Sequence, residues 1–123
     1  AHEALSEFVS ECNQNDTEAI ICAAGMAAAL PGVVAAQTVI PVIGVPLSAS
    51  VLDGMDALMS IVQMPPSIPV ATVGINGAKN AAWLALNIIG NKHLEIREKL
   101  IAYRKKLAED AAKTNEEIIE KYK

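Results

Sequence analysis

Aromatic side chains are almost missing. Phe8, Trp83, Tyr103 and Tyr122 make up 3% of the 123 residues, although 52% of the chain is hydrophobic. The core must therefore come from Ala, Val, Ile, Leu and Met. The same scarcity removes a platform for stacking the bases of single-stranded nucleic acid. Net charge is −4 and no basic stripe precedes the C-terminal segment, which argues against a nucleic-acid partner. Only two cysteines occur, Cys12 and Cys22, too few for a disulfide framework. Cys22 lies in the apolar run AIICAAG and reads as a small core residue, so a reducing, cytoplasmic setting is expected. At this length the chain has room for one domain.

Charge is also missing from Ala19 to Leu52, a length that could cross a bilayer. Pro31, Gly32, Pro41, Gly44 and Pro46 divide that stretch into pieces too short to span, and proline removes backbone donors that lipid cannot replace. Buried strands of a chain with no membrane partner are the better reading. The opening AHEALSEF has no basic start followed by an apolar run, so no signal peptide is expected.

What is present alternates. Leu5, Phe8 and Val9 share one side of a short amphipathic helix over Glu3 to Glu11. Ala19 to Ala24 is a continuous apolar run, expected as a strand covered on both faces. A helix is expected over Leu30 to Thr38 with Pro31 in its first turn, then a strand over Val39 to Val45. Leu52, Met55, Leu58, Met59 and Val62 mark a helix over Ser50 to Val62, with Ser48 or Ser50 as its cap. Pro69 to Ile75 reads as a third strand and Gly77 to Ile89 as an Ala-rich helix stopped by Gly90. This order predicts an α/β fold, a parallel sheet with helices on both faces. From Lys92 the chain turns charged and helical, with Ile96, Leu100, Tyr103 and Leu107 on one stripe and Ile118 and Tyr122 further along. So long a helix has too little core to lie on. It is read as lying on a neighbouring subunit rather than standing solvated.

In open parallel sheets, ligands bind outside the carboxyl ends of the strands. Here those ends are Ala23 to Ala29, Pro46 to Ser50 and Ile75 to Asn80, all loops of small or polar residues leading into helices. Exposed N–H groups and helix dipoles suit such loops to a phosphate or carboxylate, so an anionic small molecule is the expected ligand. The chain has no GxGxxG, Walker loop, CxxC or paired histidines at metal-ligand spacing. Asp53 and Asp56 read as dipole partners at a helix start. Lys79 and Asn80 open a helix and either reach a ligand or face solvent. His93 sits among charges and reads as solvated. His2, by position alone, is a frayed terminus.

The runs AGMAAALPGVVAAQTVIPVIGVP, LDGMDALMSIVQMPPSIPVATVGI and GAKNAAWLALNII resemble the family of N5-carboxyaminoimidazole ribonucleotide mutases, in order from about Ile20 to Ile89. SIVQMPPSIPVATVGI is the most specific of them. GVP and IVQMP are more similar to the mutase class than to the class that carboxylates directly with CO2. The resemblance implies a three-layer α/β/α, flavodoxin-like subunit, assembled as an octamer, with no metal and no organic cofactor. It implies a step of purine synthesis that moves a carboxyl group from the exocyclic nitrogen to ring carbon C4 of an imidazole ribonucleotide. CO2 is released from the carbamate, held, and captured by C4, while a histidine handles the C4 proton. His2 is the implied catalytic histidine. Ala24, Gly25, Met26, Ala27, Ala29, Leu30, Ser48, Met64 and Pro65 are the implied substrate contacts. Small residues there, Ala28 included, would let main-chain amides approach the carboxylate and leave a dry space for CO2.

Three departures stand out. The family's N-terminal strand and its Gly-Ser-x-Ser-Asp phosphate loop have no counterpart. The family's Ser-Ala-His-Arg-Thr-Pro-Glu motif is shortened here to Ala1-His2-Glu3, without the arginine. Many members carry histidine where this chain has Ala29. Residues 1–90 are expected to form the catalytic core, with the N-terminal strand and helix absent, and residues 91–123 the helix that packs on a neighbouring subunit. The alternatives are a direct carboxylase using CO2, or a non-catalytic nucleotide-binding or assembly fragment.

Overall fold

The computed structural model describes residues 2–25, 29–49 and 52–123. Three strands, β1 (Ile20–Gly25), β2 (Val42–Leu47) and β3 (Ala71–Thr72), form one parallel sheet in that order. Ile20 to Gly25 pair with Val42 to Leu47, and Ile43 and Gly44 pair with Ala71 and Thr72. The described residues form five helices, of which the first four pack around the sheet and the last lies on α4: α1 (His2–Gln14), α2 (Leu30–Ala35), α3 (Met55–Val62), α4 (Ala78–Ile89) and α5 (Leu94–Lys121). The architecture is the flavodoxin-like, helix–sheet–helix arrangement expected from the alternation.

The pleat sorts the core. Ile20, Cys22 and Val42 point to the face where Val9 and Cys12 of α1 and Val34 and Ala35 of α2 are buried. Ala57 and Ile61 of α3 lie on the same face, against Ala24 and Val70. Ile43 and Val45 point the other way, onto Ala81, Leu84, Ala85 and Ile88 of α4. The residues of β2 from Val42 to Pro46 are all buried, so this central strand is enclosed on both faces. β1 departs from expectation. It is an edge strand of the described sheet, and Ile21 and Ala23 are exposed on the face opposite α1 and α2.

Several boundaries move, each for a local reason. α2 stops at Ala35 rather than Thr38. Gln37 and Thr38 instead turn the chain, with the Ile40 N–H donating to Thr38 Oγ1 at 3.0 Å. β2 begins at Val42 rather than Val39, because Pro41 has no N–H; its carbonyl accepts the Ile20 N–H at 2.9 Å. β3 shrinks to Ala71–Thr72, although the Val73 N–H still reaches the Gly44 carbonyl at 3.2 Å. α3 begins at Met55, not Ser50. Asp53 and Gly54 both take positive φ, and Gly54, at φ 90°, is the N-cap. Ser48 therefore does not cap α3, and Ser50 lies outside the described residues. The buried side of α3 is Ala57 and Ile61, while Met55, Met59 and Val62 are about half exposed. Phe8 likewise faces outward, leaving Val9 and Cys12 as the buried residues of α1. Gly90 closes α4 in a right-handed conformation, so its smallness serves packing: a Cβ there would sit 3.4 Å from Arg97 Cα and from Leu100 Cδ1.

His93 is partly exposed, but it also has a partner in the fold. Its Nε2 lies 2.7 Å from Glu18 Oε2, tying the joint between α4 and α5 to the segment that enters β1. On α5 no residue is buried, and Trp83 of α4 stacks on Tyr103 with ring centroids 4.7 Å apart.

Gly44 sits at the tightest point of the sheet. A Cβ there would fall 2.6 Å from Ile61 Cγ2 and 3.1 Å from Val70 Cγ1. Gly44→Ala is expected to destabilise the fold by about 1–3 kcal/mol through overpacking. Urea denaturation checks it; a loss below about 0.5 kcal/mol would contradict this packing.

Candidate functional site at the carboxyl rim

Each strand hands its chain to a helix at one end of the sheet, and the loops there are held by named contacts. β1 ends on Gly25, whose missing side chain admits Ala49: a Cβ on Gly25 would stand 2.8 Å from Ala49 Cβ and 3.5 Å from the Leu47 carbonyl oxygen. The end of β1 and the loop after β2 thus approach through main chain and one methyl group. The loop after β3 is clamped to the end of β2 by Asn76. Its own N–H donates to the Pro46 carbonyl at 2.8 Å, and its Oδ1 accepts the Ser48 N–H at 3.0 Å. Its Nδ2 donates to Ser48 Oγ at 3.3 Å. Asn76 has φ 59°, a conformation that asparagine tolerates, and the following Gly77 N–H closes onto the Gly74 carbonyl. Reading the loop only as a run of small residues missed this clamp. The Asn76-Gly77 pair directly after a strand was the available signal.

Of the candidate contacts, Ala24 and Gly25 end β1, half-buried, and Ala29 and Leu30 begin α2, exposed. Met26, Ala27 and Ala28 lie outside the described residues. Ala29 is the N-cap of α2 without a side-chain cap, and its carbonyl accepts the Val33 N–H. Ser48 is exposed on the rim and engaged with Asn76. Met64 comes to the first turn of α2: a Cβ on Gly32 would meet both Met64 Sδ and Cε at 3.4 Å. Pro65 is exposed beside it. The structure therefore groups Gly25, Ser48 and Asn76 by direct approach, and Met64 with the start of α2.

His2 is exposed in the first turn of α1. The other end of α1 is fixed: Asn13 Nδ2 donates to the Gln37 carbonyl at 3.0 Å and Asn13 Oδ1 accepts Thr38 Oγ1 at 2.5 Å. Those partners precede β2, so α1 ends at the amino side of the sheet. Thirteen residues span about 20 Å, so α1 opens toward the carboxyl rim. Lys79 and Asn80 are exposed in the first turn of α4, and Asp56 lies in the first turn of α3.

A cavity of about 1080 Å³ lies elsewhere. It opens at the amino end of the sheet between the 37–41 and 67–71 segments. No charged side chain lines it, and Asn13 and Thr38 on its wall already satisfy one another. It offers an anion little, whereas the rim offers loop amides and helix N-termini. Cys22 does not supply a nucleophile either, because burial pushes its thiol pKa up and keeps it protonated. Among the described residues no group of three or more His, Cys, Asp or Glu side chains is placed to hold a metal, and no helix is long and apolar enough to cross a membrane.

Comparison with known proteins agrees with the resemblance read from the sequence. A family model described as AIR carboxylase matches residues 1–110. The N5-carboxyaminoimidazole ribonucleotide mutase of Pyrococcus abyssi is 60% identical over 102 residues, 83% of this chain and 59% of that protein. The protein of the same name from Methanocaldococcus jannaschii is 51% identical over 118 residues, 95% of this chain and 74% of its own length. That of Saccharolobus solfataricus is 46% identical over 112 residues, 91% of this chain and 71% of its own. The chain thus spans 59% to 74% of the length of these three curated relatives. With most of its residues matched by one family model and the rim loops inside that match, the chain belongs to the AIR carboxylase family.

Proposed function

We propose that the chain is an N5-carboxyaminoimidazole ribonucleotide mutase of purine biosynthesis. It would move a carboxyl group from the exocyclic nitrogen of the imidazole ribonucleotide to ring carbon C4. The observation that carries this reading is the close approach of Gly25 to the loop after β2, beside a loop clamped by Asn76. Bare main chain at the rim can reach a flat carboxylated ring from one side, and relatives that match most of this chain carry the mutase name. In this reading Ala24, Gly25, Met26, Ala27, Ala29 and Leu30 border the carboxylate, with Ser48, Met64 and Pro65 on the opposite wall. Met64 supplies an apolar cover over the start of α2, which suits transient CO2 retained away from water.

His2 is the general acid and base of the proposal. As the N–C bond breaks, protonated His2 donates its proton to the exocyclic nitrogen, leaving CO2 and the neutral aminoimidazole. C4 then attacks CO2 to form the new C–C bond, and the proton on C4 passes to the histidine. Microscopic reversibility lets the same group return it. No step needs a cofactor or an oxidant. The site belongs to a homo-oligomer in which residues 91–123 pack on a neighbouring subunit around the 1–90 core, and the octamer and the cytoplasm are its proposed setting.

One observation favours a second reading, a nucleotide-binding or assembly role without turnover: His2 is followed directly by Glu3, with no arginine between them. Turnover separates the two. Supplied with the N-carboxylated ribonucleotide, the chain should form the C4-carboxylated product, followed by its absorbance. His2→Asn should lower the rate by about 10²–10⁴-fold while calorimetric binding of the product changes less than about threefold. Retained activity in that variant would remove the role given to His2.

Gly25→Ala tests the rim itself. The new methyl group must displace Ala49, which a Cβ would approach to 2.8 Å. Affinity for the C4-carboxylated nucleotide should fall by about tenfold or more. Unchanged affinity would mean that this approach plays no part in binding.

A further inference from the structure

α5 is 28 residues long, about 42 Å, and none of its residues is buried. Charge divides it in half. Leu94–Leu107 carries three lysines and two arginines against two glutamates, a net +3. Ala108–Lys121 carries four glutamates and one aspartate against two lysines, a net −3. The helix dipole does not explain this order, because it favours acids early and bases late and acts only on the end turns. Those turns do follow it, with Glu95 first and Lys121 last. The interior runs the opposite way.

Arg97 and Arg104 are the chain's only arginines. They stand one heptad apart, and neither has an acidic residue three or four positions away on the helix. By contrast Lys99, Lys105 and Lys106 each have one, at Glu95, Glu109 and Asp110. Both arginines line one cleft of about 420 Å³ together with Asn87 and Asn91 from the end of α4. Neither makes an ion pair among the described residues. Leu94 and Ile101 flank the cleft region uncovered, and Ile118 and Ile119 are uncovered among the acids of the second half.

We propose that α5 docks on α5 of a second copy, antiparallel, so that the basic half of each helix lies on the acidic half of the other. Glu116, Glu117 and Glu120 of one copy supply carboxylates to the arginine cleft of its mate, and Ile118 and Ile119 cover the uncovered apolar residues there. Antiparallel order is the one arrangement of two such helices that opposes unlike halves along their whole length, and parallel order would oppose +3 to +3. The proposal rests on the reading that residues 91–123 pack on a neighbouring subunit, and it names the partner and its direction.

Charge reversal on these exposed positions tests it with little risk to folding. Sedimentation and light scattering would compare the chain with three variants: Arg97→Glu with Arg104→Glu; Glu116→Lys with Glu117→Lys and Glu120→Lys; and all five together. Each partial reversal should weaken self-association by about tenfold or more, and the five-fold variant should recover it to within about threefold. Stronger association of the arginine variant would mean that like halves face each other, which overturns the pairing. Failure of the five-fold variant to recover overturns it as well. So does an unchanged mass in the arginine variant accompanied only by loss of inorganic phosphate binding, which would make the cleft a free-anion site. A chain ending at Asn91 separates the two levels. If it keeps the intact mass, the reading that α5 bridges subunits fails altogether. If it loses mass while the five-fold variant does not recover, α5 bridges subunits but rests on some other surface.

Discussion

Close approach at Gly44 governs the rest of the molecule. With no side chain at the centre of β2, Ile61 of α3, Val70 and Pro31 of α2 converge on one point of the sheet. Their convergence seats the start of α2 and the end of α3 above the same strand. α4 then closes the opposite face on Ile43 and Val45. A core of small aliphatic residues makes this possible, because the spacing between layers follows the size of the side chains between them. Gly25 repeats the device where the end of β1 meets the loop after β2.

The order and type of the elements were legible because the strands are apolar runs bounded by proline and glycine, and the helices keep a 3.6-residue period. Their ends were less legible. Pro41 and Pro69 read as strand residues by hydropathy, yet their missing donors leave β2 and β3 shorter at the front. The turn over Asp53 and Gly54 was hidden inside a helical pattern, since positive φ at an aspartate leaves no mark on hydrophobicity. Spacing also gave the wrong buried side for α3. Ala57 and Ile61 lie inward because the flat surface at Gly44 sets the rotation of the helix, a tertiary effect that no periodicity carries.

The candidate site was legible in part. Loops of small residues at the carboxyl ends of parallel strands follow from topology, and the resemblance supplied the chemistry. Asn76 was passed over, because its role depends on the Pro46 carbonyl and Ser48 arriving beside it from 28 or more residues away. The partner of His93 was hidden for the same reason: Glu18 lies 75 positions earlier. The charge order of α5 was in the sequence throughout. It gains meaning only once the helix is seen to have no buried residue of its own.

Two concave regions compete to hold a ligand. The amino-end cavity is lined without charge, and the carboxyl rim is built from main chain brought close by glycine. A crystal of the chain grown with the C4-carboxylated imidazole ribonucleotide decides between them. Density for the imidazole carboxylate should appear beside the Gly25 and Met64 turns. Density in the amino-end cavity, with the rim empty, would contradict the account.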